Sequence, residues 1–417
     1  GIRLTACYAA APVCSSSRAG LMTGRNPSRV GVYDWIPSGH VVHLPRTEIT
    51  VATLLQRAGY DTAHCGKWHL NGRFNKPDQP QPNDHGFRYW FSTQNNAAPS
   101  HENPTNFVRN GKPVGPLKGY SCQLVADEAI HWLKSVRDDS RPFFLFVCFH
   151  EPHEPVASPP ELVARYRDVA RNEDEAQYFA NVTNMDAAVG RIIEALDELK
   201  LADSTIVWFT SDNGPETLNR YRGARRSYGS PGPLRGMKLW LYEGGIRVPG
   251  IIRWPGHAPA NAQTGVPVCG LDVLPTFCEL AGVQPPRDRV LDGVSMADLF
   301  RKSALRRTRP IFWHYYAALG KPKAAMRYGP WTLLAHRVAP DLKPGRNVDR
   351  RSMQVIKQAR LGEFELYNLL DDLGQKNDLA AAHPERVREL AEQLVRWHRE
   401  IQREGPDWYA DSPASER

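Results

Sequence analysis

Residues 10–25 read Ala10-Ala11-Pro12-Val13-Cys14-Ser15-Ser16-Ser17-Arg18-Ala19-Gly20-Leu21-Met22-Thr23-Gly24-Arg25. A run of small residues carries a lone cysteine, three hydroxyls and an arginine four positions beyond the cysteine. An apolar-rich segment suited to a helix follows. Ser15, Ser16 and Ser17 are good helix-start residues, because a hydroxyl accepts from an otherwise unpaired backbone N–H. A helix starting there puts Cys14 at its positive end, where anions are favoured. Arg18, one turn along, shares that face. On these residues alone, a cysteine beside an arginine is ordinarily a packed thiol near a surface charge.

The chain has 417 residues, ample for one large buried core and a small second unit. Its 41% hydrophobic and 24% charged content is ordinary for a globular protein. No run of about 18 apolar residues occurs, so no membrane span is expected. The N-terminal residues, Gly1 to Tyr8, are no signal peptide and read as a strand entered part-way. A formal net charge of +8 favours anionic partners, but no nucleic-acid recognition motif accompanies it. The seven cysteines (Cys7, Cys14, Cys65, Cys122, Cys148, Cys269 and Cys278) form no C-x-x-C pair, which argues against structural zinc or a redox motif. They suit mostly free thiols, with room for one disulfide, and leave the redox compartment open.

Beyond the first helix, Thr50 to Tyr60 has helical spacing, and Asp61 to Cys65 reads as a short strand running into Gly66-Lys67-Trp68-His69. Asn71 to Leu117, rich in Pro, Asn and Gly, reads as a long irregular excursion, a length uncommon unless the loop is functional. Leu124 to Val136 is helical in period, and Pro142 to Phe149 is an apolar run expected as a buried strand ending at His150-Glu151-Pro152-His153-Glu154-Pro155. Tyr178 to Leu199 is an amphipathic helix. Ser204 to Thr210 is the next buried strand, ending at Ser211-Asp212-Asn213-Gly214. This alternation argues for a parallel sheet with helices on both faces. Lys67, His153 and Asp212 then fall just after strand ends, where open α/β sheets place their ligand sites. The basic stretch Arg301 to Arg309 marks a boundary, giving a catalytic domain over 1–305 and a small α+β subdomain over 306–417. That subdomain ends in a helix near Pro384 to Ile401.

Cys14-x-Ser16-x-Arg18 followed by Ala19-Gly20-Leu21-Met22-Thr23-Gly24 resembles the signature of the type I, formylglycine-dependent sulfatases, with Ser16 where the family usually has Pro or Ala. Four further segments match in the family's order: Gly66-Lys67-Trp68-His69, Pro152-His153-Glu154-Pro155, Ser211-Asp212-Asn213-Gly214, and Gly236-Met237-Lys238 before Tyr242-Glu243-Gly244-Gly245. Each alone has a bland reading: a surface lysine with a half-buried histidine, or turn chemistry for Asp-Asn-Gly. His150 is taken as packing, and Gly244 and Gly245 as backbone geometry. Gly244-Gly245-Ile246-Arg247-Val248-Pro249 is most similar to the arylsulfatase A and N-acetylgalactosamine-6-sulfatase branch.

The resemblance implies an alkaline-phosphatase-like α/β sandwich, a large mixed sheet flanked by helices with a small C-terminal subdomain. It also implies hydrolysis of sulfate esters, of carbohydrates in particular. Cys14 becomes formylglycine through a maturation enzyme, and its hydrate attacks sulfur. Arg18 and Lys67 steady that hydrate, and His69 helps to eliminate sulfate. His153 and Lys238 hold the sulfate, and either assists proton delivery to the leaving oxygen. Asp212, Asn213 and residue 14 bind calcium, whose taste for carboxylate and amide oxygens suits that pair. Crowded cations are expected to lower the pKa of Lys67 and Lys238. The family's two further acidic calcium ligands, carried on a strand upstream of the signature, have no counterpart among the 13 residues before Cys14. The chain is therefore expected to be an N-terminally truncated version that lacks a central strand and binds calcium poorly. Arg220, Arg222, Arg225, Arg226 and Arg235 lie between two site motifs and are expected to border the mouth and meet a sulfated polysaccharide; the bland reading is a solvated charged loop. A periplasmic, extracellular or lysosomal-type setting goes with the family. The alternatives are a phosphodiester or phosphonate monoester hydrolase of the same superfamily, and a catalytically silent relative that binds sulfated glycans.

Overall fold

The computed structural model describes residues 1–301, 307–345 and 347–410; the boundary expected between 305 and 306 lies outside the described residues. The first part of the chain carries β1 (Ile2–Leu4), β2 (Cys7–Tyr8), β3 (Asp61–Lys67), β4 (Tyr89–Thr93), β5 (Val108–Arg109), β6 (Lys112–Pro113) and β7 (Phe143–Cys148). Then come β8 (Val207–Thr210), β9 (Arg247–Val248), β10 (Gly250–Arg253), β11 (Ala262–Thr264) and β12 (Val268–Cys269). The last four are β13 (Ile311–His314), β14 (Pro322–Tyr328), β15 (Trp331–Ala339) and β16 (Arg360–Asn368).

One sheet has the order β6-β5-β4-β3-β7, with β3 parallel to both β4 and β7. Alternation along its strands explains why helices cover both faces. Ala63, Cys65, Leu145 and Val147 pack toward Val125 and Ala129 of the helix Ser121–His131 and toward Trp132 just after it. Phe144 and Phe146 join Leu54 and Leu55 of the helix Val51–Arg57 on the other side. The helix Glu173–Glu198 lies outside the Ser121–His131 helix. It starts five residues before its apolar period does, because Asn172 accepts from the Glu175 N–H and Glu173, Asp174 and Glu175 complement the helix dipole.

A second sheet runs β11-β1-β10-β8. Here the expected parallel order fails, since β10 is antiparallel to both β1 and β8. A polar loop with two short helical turns (Ala224–Arg226 and Glu243–Ile246), rather than a crossover helix, joins β8 to this region, and parallel pairing needs the crossover. The excursion expected over Asn71 to Leu117 is also not irregular throughout. β4, wholly buried, pairs with β3 in register, Lys67 opposite Thr93.

The large sheet is thus mixed and flanked by helices, the alkaline-phosphatase-like sandwich, but it is split. β7 and β8 are the facing edges of the two sheets and do not pair with each other. Between them lies a cleft of about 1640 Å³. The apolar run at 142–149, expected as a buried strand, is half-exposed along this cleft. In the C-terminal region β13-β14-β15-β16 form an antiparallel sheet covered by the helix Pro384–Glu404, whose Leu390, Leu394, Trp397 and Ile401 meet Met326, Leu333 and Leu366. Trp313 ties this sheet to the first part of the chain by donating from Nε1 to the Ala9 carbonyl at 2.8 Å. All seven cysteines are free and buried.

Gly66 sits at φ +107°, and a Cβ there would collide with the Cys148 carbonyl oxygen of β7. Gly66→Ala combines a left-handed strain with a backbone clash, so it is expected to destabilise the fold by more than about 2 kcal/mol. Urea unfolding checks this, through a lower midpoint at an unchanged slope.

Candidate active site

The helix α1 (Cys14–Thr23) begins at the cysteine itself, with Val13 extended and offering no side-chain cap. The serines therefore lie inside the first turn rather than capping it. Ser15 is used in the tertiary structure instead, its Oγ accepting from the Ile36 N–H at 3.1 Å. Cys14 is buried, 4% exposed, at the uncapped positive end of α1.

Arg18 joins three elements. Its Nε and Nη2 donate to Asp212 Oδ2 at 3.0 and 2.9 Å, and its Nη1 donates to the Lys67 carbonyl at 2.8 Å. Burial is the largest single influence and opposes its charge, but Asp212, Cys148 and Cys14 together outweigh burial and hold the guanidinium above its ordinary pKa. Burial likewise pushes the Asp212 carboxyl up, and Arg18, Lys67 and Lys238 pull it further down, so it is ionised.

Lys67, at the end of β3, donates from Nζ to Asn96 Oδ1 at 3.1 Å. Its pKa is lowered to about 8, chiefly by burial, which Cys14 offsets in part and Arg18 reinforces. The like-charge effect expected from sequence is there but secondary. Asn96 also reaches His153, with its Nδ2 3.0 Å from the ring's Nδ1, and the Glu154 carbonyl lies 2.8 Å from the same nitrogen. His153 is held well below the ordinary histidine pKa by burial and by Lys238 and Lys67, so it is neutral at pH 7. Lys238, 4% exposed, faces Glu216 with Nζ 3.5 Å from Oε2, and Arg220 clamps the same carboxylate at 2.6 and 2.9 Å. Gly244 and Gly245 join the two flanking loops. The Gly244 N–H donates to the Arg235 carbonyl, and the Gly245 carbonyl accepts from Gly214; a Cβ on Gly244 would strike Gly236.

His69 takes a left-handed backbone, φ 57°, with Nε2 3.1 Å from the Ile36 carbonyl and Nδ1 buried without a partner. Burial, then Lys67 and Arg18, keep it neutral. His150 packs edge-on against Phe107 and meets Thr93 Oγ1 at 2.8 Å. Arg18, Lys67, His153, Asp212, Asn213 and Lys238 line one cleft. Two partners escaped the sequence reading: Asn96 and Glu216. The signal for Asn96 was β4, which delivers Gln94-Asn95-Asn96 beside Lys67-Trp68-His69.

The five arginines divide. Arg226 is spent on Asp174 at 2.6 Å and the Val156 carbonyl at 2.7 Å. Arg235 lies 3.9 Å over the Tyr242 ring and donates to Tyr367 Oη at 2.9 Å. Arg220 serves Glu216. Arg222 and Arg225 are exposed and form no ion pair among the described residues.

Asn213 Oδ1 is buried without a hydrogen-bond partner, as an oxygen awaiting a cation would be. Asp212, however, already has Arg18, and among the described residues no group of three or more His, Cys, Asp or Glu could hold a metal. Calcium takes six to eight oxygens. These residues supply a fraction of that set, so they do not by themselves fit calcium.

Three buried cations around one recess, with an uncapped helix start beside them, suit a tetrahedral oxyanion. The fold and the site together suit a protein that takes anionic esters. Residues 1–283 match the sulfatase family model, and residues 237–333 match that of the N-sulphoglucosamine sulphohydrolase C-terminal region. The chain is 33% identical over 378 residues to N-acetylgalactosamine-6-sulfatase of Sus scrofa, covering 84% of this chain and 69% of that one. It is 33% identical over 372 residues to the Homo sapiens protein of that name, covering 82% and 67%. Among solved structures, Ps i-CgsB in complex with k-i-k-neocarrahexaose superposes with a TM-score of 0.80 at 26% identity, covering 98% and 86%. The chain belongs to the sulfatase family. It is a sulfuric ester hydrolase.

Asn96→Ala removes the link between Lys67 and His153 while leaving both in place. Without those two hydrogen bonds, one of them from the Lys67 ammonium, kcat/KM on an aryl sulfate is expected to fall roughly 10- to 100-fold. Thermal unfolding should shift little; an unchanged rate would contradict the assignment.

Proposed function

We propose that this chain hydrolyses sulfate monoesters of carbohydrates in the recess formed by residue 14, Arg18, Lys67, His153 and Lys238. The observation that carries the reading is the burial of Arg18, Lys67 and Lys238 around one recess, whose positive charge Asp212 and Glu216 balance only in part. The carbohydrate part is supported by the names of the relatives and by the oligosaccharide in the Ps i-CgsB complex.

Residue 14, once oxidised to formylglycine, would supply a hydrated aldehyde whose hydroxyl attacks sulfur. Its surroundings fit: Cys14 heads α1, and it lies close enough to Arg18 and Lys67 for a negative charge on it to favour theirs. Arg18 and Lys67 hold negative charge at that position. His153, neutral, donates a hydrogen bond to a sulfate oxygen, and Lys238 delivers the proton to the departing alcohol. His69, with Nδ1 unpartnered, takes a proton as the nucleophile is regenerated. Arg222 and Arg225 meet the outer sulfates of a longer glycan. Because Cys14 to Arg18 are all buried, the maturation enzyme must act before this segment is packed.

Asp212 and Asn213 would supply two ligands of a calcium ion and do not hold one by themselves. A strand seated between β7 and β8 and bringing two carboxylates would complete both the sheet and the ligand set. Titration calorimetry on residues 1–417 is therefore expected to show no tight, stoichiometric calcium binding; such binding would overturn this part of the reading.

The reaction class is tested by kcat/KM on matched aryl sulfate and aryl phosphate esters. The sulfate is expected to be the better substrate by orders of magnitude. A preference for the phosphate monoester, a phosphodiester or a phosphonate would replace the reading with the same-superfamily alternative, and glycan binding without turnover would make the protein a silent relative.

A further inference from the structure

The backbone at Lys238 is clamped from two sides. Its N–H donates to the Pro215 carbonyl at 2.9 Å, one residue before Glu216. Leu239, at φ 73°, donates to the Pro12 carbonyl at 2.9 Å, two residues before Cys14. What remains to be placed is the ammonium at the end of a four-carbon stem. Arg18 directs its N–H groups to Asp212 and the Lys67 carbonyl, and Lys67 donates to Asn96. Lys238 differs: among the described residues its Nζ has an ion pair with Glu216 and no hydrogen bond. At 3.5 Å, Glu216 Oε2 lies beyond the ordinary N–H···O range. The pair is therefore held by charge, and the ammonium protons stay available to a substrate.

Glu216 is occupied on its other sides. Arg220 donates from Nε to Oε1 at 2.6 Å and from Nη2 to Oε2 at 2.9 Å, and the Thr217 N–H donates to Oε1 at 3.0 Å. Burial pushes its carboxyl up, but Arg220 and then Lys238 pull it further down, so it is ionised. Both partners are buried, with the Glu216 side chain 9% exposed and that of Lys238 5%. A carboxylate fixed by three donors competes weakly for the protons of a fourth. It still offsets the repulsion that Arg18 and Lys67 exert on a third cation in the same recess.

We propose that Glu216 is the positioning residue for the proton donor, its clamped carboxylate holding the Lys238 ammonium where the alcohol departs. In the step it serves, the ester S–O bond breaks and its electron pair stays on the alcohol oxygen. That oxygen takes a proton from Nζ and leaves Lys238 a neutral amine beside Glu216. This rests on the reading of Lys238 as proton donor, and the test separates the two. The rival is a pair that only staples its loop, since Glu216 and Arg220 are four residues apart.

The ratio kcat/KM is measured for wild-type, Glu216→Gln, Arg220→Lys and Lys238→Ala protein from the native host. The substrates are aryl sulfates graded from nitrophenol to methoxyphenol leaving groups. A nitrophenolate departs with little help from an acid, and a methoxyphenolate needs it. Lys238→Ala is expected to lose roughly 100-fold or more on the poorest leaving group and least on the best. Glu216→Gln keeps the size of the side chain but not its charge. Its loss is expected to follow the same order, about 30-fold on the poorest leaving group and about twofold on the best. Arg220→Lys, which loosens the clamp, should show the same gradient at roughly threefold. A Glu216→Gln loss that is equal along the series, or absent, beside a graded Lys238→Ala would overturn the positioning role alone. An ungraded Lys238→Ala would overturn the proton-donor reading, and the positioning role with it. If Glu216→Gln does not fold, Arg220→Lys decides: a graded loss supports the role, and a flat one overturns it.

Discussion

The contact on which the site depends is the buried guanidinium of Arg18, held between the Asp212 carboxylate and the Lys67 carbonyl. It fixes three elements that meet nowhere else in sequence: the first turn of α1, the end of β3 and the loop after β8. A buried cation of this kind is costly unless it is paired and hydrogen-bonded, and removing one partner strands the other charge. The pairing thus sets where Asp212 can lie, and so how the region after β8 sits against α1. Lys67 and Lys238 add to a field that Asp212 and Glu216 offset only in part.

Around that field the protein arranges neutral groups. Asn96 spaces Lys67 from His153 without adding charge, and burial keeps His69 and His153 uncharged. A recess in which every nitrogen were protonated would repel itself; this one divides the work between fixed cations and neutral hydrogen-bonding rings. Glu216, clamped by Arg220, performs for Lys238 what Asp212 performs for Arg18. The same pairing logic explains why three of the five arginines in the 220–235 loop are bound internally, while Arg222 and Arg225 form no ion pair among the described residues.

Much of this was legible in the sequence because chemistry concentrates at strand ends. Lys67, His153 and Asp212 each follow an apolar run, and the topology brings those ends together. What escaped was what alternation cannot report. β4, Tyr-Trp-Phe-Ser-Thr, is buried on both faces and sits among Pro, Asn and Gly, so it carries no period, and Asn96 went unseen with it. The start of the Glu173–Glu198 helix is set by a cap and acidic first turn, not by apolar spacing. The antiparallel turn of β10 is a property of the connection, not of its residues. The split between β7 and β8 likewise shows only when edges are paired in space: Phe144 and Trp208 read as core in sequence and stand half-exposed in the fold.

The central claim is that residue 14 is the nucleophile position, and the mass of the tryptic peptide Leu4 to Arg18 from protein made in the native host tests it most directly. An aldehyde, or its hydrate, at residue 14 is the expected result. An unmodified cysteine thiol would contradict the account, and would leave Arg18, Lys67 and Lys238 as a pocket that binds sulfate groups without cleaving them.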